Sequence, residues 1–238
     1  MWGAVGASSL VLGGFLALTV GMSRRVLGLV MAFGSGVLIS AVAYELVGDA
    51  VQEADRGVSV AAGLFAGSAV FFVGDTLIDR LGGEHRKDAG GKQVTGSALA
   101  IVLGIVLDGI PESVVIGLGL LEGSAPSAAV IVAVFLSNLP EAAAASAGLS
   151  RSGWRTAHLY ALWGGVILVS GLSSLAGYAF FGDASGDVLA FMSAFAGGAI
   201  LTMLADTMMP EAFAQGGKLV GVFTTLGFAL AFAISALE

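Results

Sequence analysis

Cysteine is absent from this 238-residue chain, which excludes disulfides and thiolate metal sites. Charge is scarce. Asp, Glu, Lys and Arg make up 11% of the residues, against about a quarter in an ordinary soluble domain. Bases are scarcer than acids, 10 against 17, for a net charge of −7. No basic stripe is present to follow a phosphate backbone, so a nucleic-acid partner is not expected. Only two histidines, His85 and His158, and four prolines occur. What remains is apolar: 57% of the residues are hydrophobic, and 37 are glycine. This composition excludes a soluble globular enzyme and a disordered chain. It points to an all-α, polytopic membrane protein, because a lipid-exposed span must satisfy its backbone as a helix.

A span takes about 20 apolar residues. Eight such stretches are readable, approximately 3–22, 26–48, 58–80, 97–121, 126–149, 155–181, 187–210 and 217–237. Eight transmembrane helices use most of the chain, so a single transmembrane domain over 1–238 is expected, with one longer loop at about 81–96. That loop carries His85, Arg86, Lys87 and Lys92 and reads as a solvated connector. Arg24 and Arg25 follow the first apolar run, the reverse of a secretory signal. On the eight-span count, nine of the ten bases fall on one side, and only Arg56 is on the other. The positive-inside rule puts the nine in the cytoplasm and both termini outside. The expected location is the cell (plasma) membrane, with the lipid bilayer as solvent.

The informative residues are acids inside the spans, each costing a few kcal/mol unless it meets a cavity, a partner or an ion. Asp108 and Glu112 lie four apart on one face of helix 4, and Ser137 and Glu141 do so on helix 5, beside Asn138. Pro111 and Pro140 free the carbonyls of Leu107 and Leu136, which adds oxygen donors. At ~1.5 Å per residue, Asp108 and Ser137 are roughly 16 and 18 Å from the inner ends of their helices. Both therefore fall near the midplane. No arginine or lysine sits mid-span, so an external cation or protons must neutralise the cluster. Glu45 and Asp49 mark the outer end of helix 2, and Asp206 and Glu211, flanking Pro210, the inner end of helix 7. That order suits cation passage. Asp75 and Asp79 near the inner end of helix 3 read as interfacial charges. An intramembrane enzyme such as a lipid phosphatase needs a base beside the acids to hold phosphate, and none is present, so the chain is not expected to be an enzyme.

These residues resemble the ZIP (Zrt-, Irt-like) metal transporter family over essentially the whole chain. Where that family carries His-Asn-x-Pro-Glu-Gly in helix 4, the chain reads Asp108-Gly109-Ile110-Pro111-Glu112-Ser113. In helix 5 it reads Ser137-Asn138-Leu139-Pro140-Glu141, and in helix 7 Asp206-Thr207-Met208-Met209-Pro210-Glu211. Asp49 matches the family's outer acid of helix 2. A helix 6 carboxylate of some members falls near Ser174, which does not replace its charge.

The resemblance implies a metal site between helices 4 and 5. Glu112 and Glu141 match its ligands outright, while Asp108, Ser137 and Asn138 are ligand-capable substitutes. It implies uptake of zinc, manganese or iron as substrate, with no prosthetic group. The all-oxygen donor set lowers the preference for zinc, since carboxylate and hydroxyl oxygens suit manganese, magnesium and calcium. A homodimer is compatible with the resemblance and with small-residue stretches such as Gly34-Ser35-Gly36. A proton-linked carrier and a non-transporting, metal-sensing relative stand as alternatives.

Overall fold

The computed structural model describes residues 2–55, 57–88, 92–121 and 128–237. Arg56 and the first residues of the fifth expected span, 126 and 127, lie outside them, as does the middle of the long loop. Among the described residues every regular element is a helix. They form α1 (Trp2–Thr19), α2 (Arg24–Glu53), α3 (Gly57–Gly83), α4 (Ala98–Leu118), α5 (Ala128–Arg151), α6 (Thr156–Phe181), α7 (186–216) and α8 (Val220–Ser235). Among the described residues, seven stretches are long and apolar enough to cross a membrane, the seventh being Gly186–Ser235 as one run of 50 residues. The sequence led us to expect eight. α8 alone has 16 residues, short of the length a span takes.

The seventh run reverses within itself. Gly217 has φ 66°, a left-handed conformation that glycine adopts at little cost. Before it, Met208 lies against Gly34 of α2, and Ala212 and Gln215 lie against Gly28. After it, the Tyr44 ring of α2 meets Phe228 and Phe232, at centroid distances of 6.0 and 5.0 Å. α7 thus runs down α2 and α8 runs back up it.

Among the described residues, two large cores and a small third one, at Ala50, Val60, Ala190 and Ala194, hold the bundle together. The largest gathers Met31, Leu38, Ile116, Val134, Met203 and Met208 from α2, α4, α5 and α7. The second joins α1, α4, α5 and α6 around Leu10, Ile105, Leu149 and Trp163. The exposed apolar residues, Phe65, Phe72, Leu168, Leu175 and Phe180 among them, face outward as lipid-facing side chains do. Gly34, Ser35 and Gly36 are buried within the chain, where Gly36 is packed on the α8 backbone at Thr224. That small-residue stretch is used inside the protomer and is not a free face for a second copy.

Among the described residues are three π turns: Val42–Leu46 and Leu204–Met208 within α2 and α7, and Asp79–Gly83 at the end of α3. Each contains an acid, Glu45, Asp206 and Asp79 respectively. Such single-turn bulges re-aim side chains and gather at functional positions.

Candidate functional site: an acid cluster with internal counter-ions

α4 and α5 run in opposite directions, and their facing side chains bring the sequence-predicted acids together in two couples. In one, Ser137 Oγ donates to Glu112 Oε1 at 3.3 Å. In the other, Asp108 and Glu141 stand around one cation, because Lys87 Nζ lies 3.2 Å from Asp108 Oδ2 and 3.4 Å from Glu141 Oε1. All four residues are buried, as is Asn138. The Leu136 carbonyl, freed by Pro140, faces α2: a Cβ at Gly34 would stand 3.3 Å from it.

Lys87 and its neighbour Arg86 overturn two expectations. The loop is not a solvated connector, and the acids do not lack a base. Arg86 and Lys87 are 1% and 3% exposed. Arg86 grips Asp108 with two nitrogens, Nε to Oδ2 at 2.9 Å and Nη2 to Oδ1 at 3.0 Å. The same guanidinium bonds Asp75 and reaches Asp79 Oδ1 at 3.5 Å. Asp75 and Asp79 are therefore not plain interfacial charges. Asp75 is buried as a partner of Arg86, and only Asp79 keeps substantial access to solvent. A planar fork on carboxylates is the strongest common form of buried ion pair. Burial would discharge the two bases, but the carboxylates outweigh it. Asp108 and Glu141 hold the Lys87 ammonium above the ordinary lysine range, and Asp108 and Asp75 raise Arg86 in the same way.

The loop enters because the helices make room for it. Gly104 is one turn before Asp108, and a Cβ there would run into the Arg86 side chain. A Cβ on Gly148 of α5 would strike the Asp88 carbonyl and the Gln93 amide. Gly82, at φ 96°, turns the chain inward. The segment is then tied to itself: Gln93 Nε2 donates to the Asp88 carbonyl at 2.6 Å, and the Lys92 amide donates to Asp88 Oδ2 at 2.9 Å.

Cavities approach the cluster from both ends. At the loop end, one is lined by residues 84–88 together with Asp206, Thr207, Pro210 and Glu211. Thr207 Oγ1 is 3.2 Å from Lys87 Nζ. At the far end, a second cavity is lined by Glu45, Asp49 and Glu53. Between it and the cluster lies a small apolar cavity that touches Glu112. Leu46, Val115 and Val130 border both of these cavities. Ser174 is not in this path. It is buried where α6 packs on α1 and α4, against Gly3 and Gly117.

Glu112 differs from its neighbours. Its Oε2 is buried with no hydrogen-bond partner, and among the described residues no base forms an ion pair with it. Among the described residues, no three His, Asp or Glu side chains are grouped closely enough to hold a metal ion. The physical reason is visible in the couples: Lys87 occupies the place between Asp108 and Glu141.

Sequence reasoning missed Arg86, Lys87, Asp75 and Thr207. A signal existed. Buried acids need counter-charges, and no arginine or lysine stands in the middle of a span. The adjacent pair Arg86-Lys87 follows Gly82-Gly83 within a few residues of a span, and glycine stands one turn before Asp108. No protein-family model matches the chain, and no curated protein matches it.

Proposed function

We propose that the protein is a cation carrier of the ZIP-like kind, moving a divalent metal of the zinc, manganese or iron class toward the cytoplasm. One observation carries this reading: Glu112 holds a buried carboxylate oxygen with no hydrogen-bond donor. An uncompensated acid at this depth calls for a mobile cation. The chain reversal at Gly217 supports reading α7 and α8 as separate spans, eight in all, with Pro111 and Pro140 relaxing α4 and α5 around the site. On that topology the loop end faces the cytoplasm, and Glu45 and Asp49 face outside in the plasma membrane. A cation entering there passes the constriction of Leu46, Val115 and Val130 before it meets Glu112. Discontinuous helices at the midplane of a carrier serve this purpose in general.

The test is uptake into proteoliposomes of Mn²⁺, Zn²⁺ and Fe²⁺, read by elemental mass spectrometry. Uptake that falls to background in Glu112→Gln and in Glu112→Ala/Glu141→Ala supports the reading. Undiminished uptake in the double variant, or none by folded protein, overturns it.

A second reading has its own observation. Asp108 is already compensated twice, by Arg86 and by Lys87, so Glu112 is left as one open carboxylate, which suits a proton as well as a metal. A proton-linked carrier shows acidification of the vesicle lumen driven by an imposed pH gradient, without metal, and loses it in Glu112→Gln.

A further inference from the structure

Resting on the carrier reading, we propose that Lys87 is a tethered counter-ion that exchanges with the transported cation: the ammonium sits between Asp108 and Glu141, and the cation and Lys87 displace one another there.

The two bases of the loop are held differently. Arg86 is fixed by three acids from two helices, Asp75, Asp79 and Asp108, through a rigid fork that fits carboxylates. It anchors the loop. Lys87 is a compact charge on a flexible stem, held at 3.2 and 3.4 Å by two carboxylates and at 3.2 Å by Thr207. Of the two, it is the one a competing cation can dislodge.

Lys87 also has somewhere to go. The loop-end cavity is lined by Lys87 itself and by Asp206, Thr207 and Glu211. An ammonium swung out of the cluster remains near acids and gains water. Glu112, on the other side, borders the apolar cavity that leads to the far end. A cation arriving from that end reaches Glu112 first and meets Lys87 behind it.

Exchange solves a charge problem. With Lys87 displaced and no cargo in its place, Glu141 would be an uncompensated carboxylate in a low-dielectric interior, and Asp108 would keep Arg86 alone. With Lys87 returning whenever the cargo leaves, the emptied site keeps a counter-ion. The ammonium also competes with cargo, which keeps the site labile, as conduction and transport require.

The chain contains three lysines, Lys87, Lys92 and Lys218, and the latter two are exposed. Lys87 can therefore be footprinted against two internal references. The full chain in lipid nanodiscs is acylated with a water-soluble N-hydroxysuccinimide ester, with and without Mn²⁺, and each lysine is quantified by mass spectrometry. Mn²⁺ binding is measured in parallel by electron paramagnetic resonance.

Without Mn²⁺, Lys87 is expected to react at least about tenfold more slowly than Lys92 and Lys218, as its burial in ion pairs requires. Saturating Mn²⁺ is expected to raise the Lys87 rate several-fold and leave the references unchanged. Lys87→Gln is expected to bind Mn²⁺ at least about tenfold more tightly, because a competing charge a few ångströms from the site has been removed. Lys87→Arg keeps the charge and grips carboxylates through a rigid fork, so it is expected to bind Mn²⁺ no more tightly than the unaltered chain.

Mn²⁺ that binds while Lys87 stays protected overturns the exchange and leaves the carrier reading standing. Lys87 as reactive as Lys92 without Mn²⁺ overturns it too, as does Lys87→Gln binding no better than the unaltered chain. If neither the unaltered chain nor Lys87→Gln binds Mn²⁺, the carrier reading fails and the exchange fails with it. The footprint needs no variant, so a misfolded Lys87→Gln does not shelter the idea.

Discussion

Asp108 and Glu112 occupy the same helix face one turn apart, and they are treated in opposite ways. Asp108 is held by Arg86 and Lys87 together. Glu112 has a serine hydroxyl at 3.3 Å and one orphaned oxygen. Helix spacing does not explain the difference, because that spacing makes the two residues equivalent. The reach of the loop explains it. The segment enters over Gly104 and Gly148, at the level of Asp108 and Glu141, and its side chains end there. One half of the cluster is thereby a closed ion-pair network and the other half an open acid. A buried network resists the loss of a member, whereas an uncompensated acid tolerates neutralisation.

That contrast is broken most severely at Asp108. Asp108→Ala leaves two buried cations short of their shared partner and is expected to destabilise the protein by about 3–5 kcal/mol. Thermal unfolding in nanodiscs reads this, and an unchanged midpoint would show that the pairing contributes no stability. Filling the slot comes next. Gly104→Leu has no room beside Arg86, and overpacking of this kind costs about 1–3 kcal/mol. It is expected to push the loop out and expose Lys87 to acylation. A protected Lys87 in that variant would mean that the loop does not pass over Gly104.

Glu112→Gln should cost less than about 1 kcal/mol, or stabilise, since it replaces an unpartnered acid while keeping shape. Its effect belongs to transport, where uptake should fall to background. The same stability measurement on both variants sharpens the comparison, because a loss at Glu112 equal to that at Asp108 would erase it. Smallest of all is Lys92→Ala. Lys92 is exposed and 3.9 Å from Asp88, and such surface pairs contribute at most about 1 kcal/mol.

Much of the fold was legible from the residues. Apolar length located the helices within a few residues, and the sparse charge made a membrane the solvent. The four-residue spacing in Asp108/Glu112 and Ser137/Glu141 placed each pair on one face, and the antiparallel order of α4 and α5 brought the pairs level. The loop was not legible in the same way. Arg86 and Lys87 follow the end of a span, where bases ordinarily face cytoplasm, so counting them by the positive-inside rule put them in water. Asp75 and Asp79 read as interfacial for the same reason. Ser174 was expected near a helix 6 site position without supplying its charge, and it packs between helices, because its neighbours Gly3 and Gly117 draw α1 and α4 close to α6.

By itself the sequence determined that this chain is helical, that it belongs in lipid, and that it carries more acids than bases at the depth of its middle helices. Those follow from local properties: apolar content, helical period and charge, each read over a few neighbouring residues. Only the tertiary structure decided which acids are neutralised from within. That depends on Gly104 and Gly148 lying on two different helices, on the left-handed turn at Gly82, and on a carboxylate placed 22 residues from the arginine that grips it. Coulomb attraction acts through space, and the chain order does not show which charges meet until packing has brought them within a few ångströms.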